Sequence, residues 1–137
     1  MKPAALALAG LMAVALATDS EPDAGPRGSG PVLLLYVGAE DCGPCRAWRR
    51  DHRPAFLASI DQDRVSYREV VAPRISEAFK EPMWPVSLRP FRASAERLQG
   101  VPLWLVIRDD RVIASAGGLS LWRARVLPLI KREARRS

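Results

Sequence analysis

Apolar and polar positions change their rhythm several times along this chain. "PVLLLYVGA", residues 31–39, is continuously apolar at strand length, which predicts a central strand buried on both faces. In the segment that follows, Cys45, Trp48, His52 and Phe56 recur at spacings of three and four, with Arg46, Arg49, Arg50 and Arg53 on the other sides. That is the pattern of an amphipathic helix starting at the cysteines. Pro54 disfavours helix at the residue before it, so the helix should kink or break at Arg53. "RVSYREVV", residues 64–71, alternates apolar and polar and predicts a half-buried strand, parallel to the first because a helix connects them.

Residues 72–100 read as an insert. "ISEAFK" has room for one or two helical turns, and "EPMWPVSLRP" carries three prolines and should be irregular. "ASAERLQG" predicts a short helix with Ser94 near its start, ending at Gly100. A hairpin then stands out. Leu103 to Ile107 is a strongly apolar strand, Arg108 to Arg111 a polar turn, and Val112 to Ser115 the return. Ser120 should cap a last helix whose apolar side is Leu121, Val126, Leu129 and Ile130, with Pro128 weakening or splitting it. The sum is one α/β domain over residues 31–137, a small mixed sheet with helices on both faces.

Composition changes that picture little in the body of the chain and more at its start. Apolar residues are 48% and charged residues 26%, a balance suited to a soluble domain. The net charge of +6 comes mostly from arginines interrupted by acids and apolar positions. No basic stripe interleaved with exposed aromatics is visible, so no nucleic-acid partner is expected. Met1-Lys2 is followed by an uncharged apolar run to Ala17, ending in the small-x-small pattern of "ALATDS". This layout predicts a signal peptide over 1–17 and export to the periplasm or outside, with an uncleaved membrane anchor as the alternative. Residues 18–30, rich in Gly, Pro and Ser, predict a flexible linker.

Export sharpens the question posed by the two cysteines, Cys42 and Cys45. A staple across two intervening residues constrains the unfolded chain little. A metal half-site with His52 would supply three ligands, short of a closed zinc set, though soft sulfur ligands suit copper(I). A redox pair has the clearest physical support. The start of a helix offers unpaired amide hydrogens and partial positive charge, both of which favour a Cys42 thiolate. Pro44 suits the first turn, and Gly43 keeps bulk from the attacking sulfur. Cys42 then attacks, and Cys45, deeper in the helix, resolves the mixed disulfide. Arg46 adds positive charge nearby. Trp48, Trp104 and Trp122 are expected in the core. Trp84 and Phe91 are equally balanced between core and a partner-binding surface.

"CGPC" after an apolar strand, followed by "GVPLWLVIRDDRVIASAGGLS", resembles the thioredoxin family over roughly residues 31–71 and 100–135. The resemblance implies a thioredoxin-like fold, a cis peptide at Pro102 facing the cysteines, and pairing of the Val101 backbone with a substrate chain. It also implies departures. Asp41 stands where tryptophan is usual before the first cysteine, and Tyr36 where a buried aspartate is usual. Asp41, with Glu40, should raise the Cys42 pKa. C-x-x-C-x-x-W also resembles small periplasmic thioredoxin-like proteins of sulfur-oxidation and cytochrome-maturation systems. The expectation is a monomeric protein-disulfide reductase that needs no bound cofactor or metal, its redox group being the Cys42–Cys45 disulfide. Its partners would be protein thiol or disulfide substrates and a membrane electron donor. The alternatives are a copper-delivery protein using the same sulfurs and a non-catalytic interaction domain.

Overall fold

A computed structural model describes residues 30–137. The signal peptide expected over 1–17, and all of the linker except Gly30, lie outside the described residues. Among the described residues no helix is long and apolar enough to cross a membrane.

β1 (Val32–Ala39) is the sheet's hub. It pairs in parallel with β2 (Val65–Ala72) from Val32 opposite Val65 to Ala39 opposite Ala72. On its other side it pairs antiparallel with β3 (Leu103–Arg108), and β3 pairs antiparallel with β4 (Arg111–Gly117). The spatial order is therefore β2-β1-β3-β4. The continuous apolarity of β1 follows from its place. Leu34 and Tyr36 point to one face with Trp104 and Val106, while Leu35 and Val37 point to the other with Leu103 and Leu105. The β3–β4 turn is tight because Asp109 and Asp110 both take positive φ, the geometry whose twist matches a hairpin.

The first face is covered by α1 (Gly43–Asp51), α2 (Arg53–Ser59) and the C-terminal α5 (Leu127–Ala134). The break between α1 and α2 falls at His52, and Pro54 lies in the first turn of α2, where its missing donor matters least. Beneath these helices is an aromatic cluster. Tyr36 stacks on Trp48 at 4.4 Å, and Trp48 meets Trp122 edge-on at 5.3 Å. Trp104 and Phe56 close around Trp122 at 5.4 and 5.2 Å.

The insert covers the second face. Short 3-10 turns at Ile75–Glu77, Glu81–Met83 and Val86–Phe91 lead into α3 (Arg92–Glu96). They send Ala78, Trp84, Leu88, Phe91 and Ala95 against Leu35, Val37, Leu103 and Leu105. Trp84 and Phe91 are thus core residues, and the partner-surface reading of them falls. Trp84 is 1% exposed, and its indole N–H donates to the Ala78 carbonyl at 2.9 Å. The proline-rich stretch is irregular, as its sequence predicts, yet it sends Trp84 and Leu88 into the core.

Two local expectations are corrected, and the splitting of the last helix near Pro128 is met. α3 begins at Arg92, with Ser94 inside it, and the segment after it turns at Gln99 (φ 55) before reaching Gly100. Ser120 is not a cap: the final helical segment starts with α4 (Leu119–Leu121), preceded by Gly118 at φ 90. Pro128 is accommodated by one π-helical turn, Trp122–Val126, which places it in the first turn of α5. At the far end of the sheet, Arg108 and Glu133 form a buried ion pair at 3.4 Å, and Arg108 also donates to the Glu133 carbonyl at 2.8 Å.

Candidate active site

Residues 40–42 carry the chain from the C-terminal end of β1 into α1, with Cys42 as the N-cap at φ −101, ψ 112. Cys42 and Cys45 are joined in a disulfide. The amide of Cys45 donates to the Cys42 sulfur at 3.2 Å, and the amide of Arg46 donates to the Cys42 carbonyl at 3.0 Å. The sulfur therefore occupies the place where a capping side chain satisfies an unpaired amide at the start of a helix. No acid lies in the first turn of α1 to oppose that polarity. Cys45 is fully buried and Cys42 nearly so, with Gly43 and Pro44 exposed beside them. A Cβ added at Gly43 would meet nothing within 4 Å, so the fold itself does not demand glycine there. Its small size leaves open the approach to the sulfur.

The Val101–Pro102 peptide is cis and faces the disulfide. The Cys42 sulfur is 3.8 Å from the Val101 carbonyl oxygen; in a disulfide it has no proton to donate, so this is a contact rather than a hydrogen bond. Pro102's own carbonyl accepts the Gly118 amide at 2.8 Å, which ties the β3 start to the end of the hairpin. The two halves of the expected site, residues 42–45 and 101–102, are thus assembled from segments 59 positions apart.

Of the three residues expected to tune the cysteines, two are hydrogen-bonded to backbone groups and the third is buried among aromatic rings. Arg46 donates to the Glu40 carbonyl at 2.9 Å. Asp41 accepts the amide of Ile75 at 2.8 Å, so its carboxylate anchors the insert. Tyr36 is fully buried against Trp48, its hydroxyl has no partner among the described residues, and burial pushes its pKa up to about 12. Near neutral pH such a phenol keeps its proton and cannot serve as a base. Its hydroxyl lies over Gly38, where any Cβ would collide with it.

Glu40 is held below the usual carboxylate range, first by its hydrogen bonds from Arg49, which donates to both carboxylate oxygens at 3.1 and 2.7 Å. Its charge is therefore paired rather than directed at Cys42. This clamp between the active-site loop and α1 was missed by the sequence reading, and so was Ile75. The acid and the arginine are nine positions apart across a loop, a spacing with no periodic signature. His52 lies at the α1–α2 break, beside a groove also lined by Asp51, Phe56, Trp122 and Lys131. Among the described residues, no three His, Cys, Asp or Glu side chains come together as a metal site.

A parallel first strand pair, an antiparallel hairpin beyond it, a CxxC disulfide at the start of the first helix and a cis-proline against it define a thioredoxin-like α/β fold. No family model matches the chain, and no curated protein matches it. Among solved structures, the short form of thioredoxin f from spinach chloroplast is similar at TM-score 0.46 and 15% identity, over 77% of this chain and 79% of that one. A likeness of that size carries no argument of its own, and the fold stands on the topology described above. Fold and CxxC pair together fit a thiol–disulfide oxidoreductase in general terms.

Proposed function

We propose that this protein is an exported thiol–disulfide oxidoreductase that reduces disulfides in protein substrates. The observation that carries the proposal is the Cys45 amide donating to the Cys42 sulfur at the start of α1. A sulfur so placed is stabilised as a thiolate, for which pKa values fall to about 3.5–7.5 from about 8.5. In the reduced protein, the Cys42 thiolate attacks one sulfur of a substrate disulfide. That S–S bond breaks, and the departing substrate thiolate takes a proton from solvent. Cys45 then loses its proton and attacks the Cys42 sulfur, releasing the second substrate thiol and re-forming the Cys42–Cys45 disulfide. Two electrons and two protons have passed to the substrate, and a membrane dithiol donor restores the pair. The redox group is the disulfide, so no bound cofactor enters the scheme. Val101 and Pro102 present the substrate backbone, and exposed Gly43 and Pro44 leave room for it beside the sulfur.

Trapping with Cys45→Ser in cell-envelope extract tests this reading. Mixed disulfides through Cys42 are expected, and their absence, together with no reduction of insulin disulfides by the wild-type dithiol, would leave a non-catalytic binding domain. A copper-delivery protein would trap nothing and lose metal affinity. A reduction potential near the strongly oxidising value of about −120 mV would overturn the reductase direction. Mass spectrometry of the mature chain tests export, which predicts a start at Thr18.

A further inference from the structure

The insert meets the active-site loop through Asp41, one peptide bond from Cys42. Its Oδ1 accepts the Ile75 amide at 2.8 Å across 34 positions of sequence. Ile75 opens the 3-10 turn Ile75–Glu77, and the first amides of such a turn have no partner within it. Arg74 before it, extended at φ −133, ψ 148, makes no side-chain capping hydrogen bond to the turn. Asp41 supplies the acceptor from outside. The result is an apolar side chain held in the open: Ile75 is 46% exposed. Leu57, Val86 and Ile113 are the other exposed large apolar side chains among the described residues, and Ile75 is the one whose backbone is tied to the residue before Cys42. Pro44, exposed two residues after Cys42, and half-buried Val101, whose carbonyl is 3.8 Å from the Cys42 sulfur, are the other apolar residues next to the site.

A single exposed isoleucine needs no explanation by itself. Anchoring it through a carboxylate beside the reactive cysteine is what gives it a use. We infer that Ile75 is a specificity-determining residue and Asp41 its positioning residue, so that the site selects substrate polypeptides with an apolar side chain next to the attacked cysteine. This rests on the oxidoreductase reading above. Asp41 acts here through its oxygen as an acceptor, a role distinct from electrostatic tuning of Cys42. Asparagine keeps that acceptor and removes the charge; alanine removes both.

The test compares two disulfide-linked peptides, one with leucine and one with glycine beside the cysteine, reduced by the full chain with a dithiol donor. The readout is the ratio of their kcat/KM values. Wild type and Asp41→Asn are expected to prefer the leucine peptide alike. Asp41→Ala and Ile75→Ser should lower that ratio by about fivefold, the scale of covering part of one aliphatic side chain, with the loss carried by KM. A preference that survives in Ile75→Ser overturns the inference. So does Asp41→Asn behaving like Asp41→Ala, since charge would then be the operative property. Should wild type reduce neither peptide, the oxidoreductase reading is what fails. NMR titration with the leucine peptide carrying serine for cysteine then reads the surface alone. Shifts at the Ile75 amide and methyls in wild type, lost in Asp41→Ala, uphold it; no shift at Ile75 overturns it.

Discussion

Replacing Tyr36 by phenylalanine removes one oxygen from the aromatic cluster and leaves the ring that stacks on Trp48 at 4.4 Å. That oxygen is buried with no hydrogen-bond partner among the described residues. An unpaired buried hydroxyl costs about 1–3 kcal/mol, and the lost oxygen takes some packing with it. At pH 8 the variant should therefore be more stable than wild type by about 1 kcal/mol, or about 4 °C in Tm for a domain of this size. Alkaline pH enlarges the difference. Burial raises the Tyr36 pKa from 10.0 to about 12, so the unfolded chain releases this proton first. Its contribution to stability is complete below pH 10 and is lost as pH rises towards 12. The slope is about −1.4 kcal/mol per pH unit for each such group.

Tyr67 is the chain's other tyrosine. Its pKa is raised as well, first by burial and then by its hydrogen bond to Glu69 at 2.8 Å. Wild type should thus lose stability with the slope of two phenols, and Tyr36→Phe with that of one. Tyr67→Phe would share the reduced slope but start lower at pH 8, because it gives up a real hydrogen bond. Urea unfolding followed by tryptophan fluorescence at pH 8, 10 and 11 measures this, with the disulfide intact so that no thiol titrates. A Tyr36→Phe protein less stable than wild type by about 1 kcal/mol at pH 8 would refute the reasoning, since it would mean the hydroxyl is satisfied. An unchanged slope above pH 10 would refute it too.

Gly38→Ala forces a methyl into the space of the Tyr36 hydroxyl and should cost about 1–3 kcal/mol. Combined with Tyr36→Leu, the total should fall short of the sum of the single costs, as a double-mutant cycle by urea unfolding would read. Glu133→Ala removes the carboxylate facing buried Arg108 and should cost about 3 kcal/mol, with no change in insulin reduction at the far end of the sheet. Trp84→Ala should cost about 3–5 kcal/mol as a core truncation, whereas a surface residue would leave the unfolding midpoint nearly unchanged.

By itself, the sequence determined the elements whose causes are local. Continuous apolarity marked β1 as doubly covered, Pro54 broke the helix beside His52, and Asp109-Asp110 closed the hairpin. The position of the cysteine pair was equally legible, because two cysteines and a proline directly after an apolar strand mark the start of a helix. The tertiary structure decided everything that depends on which surface still lacks a cover. Residues 72–100 have no period, since 3-10 turns and prolines impose none. Only the exposed second face of the sheet tells Trp84 and Phe91 to turn inward. Asp41 read as a charge beside Cys42 until the fold brought Ile75 to it across 34 residues. Gly38 looked ordinary until Tyr36 was seen to lie over it. Backbone preference acts over a few neighbours, and sequence reports it. Burial and pairing act between segments distant along the chain, and those are fixed only when the sheet assembles.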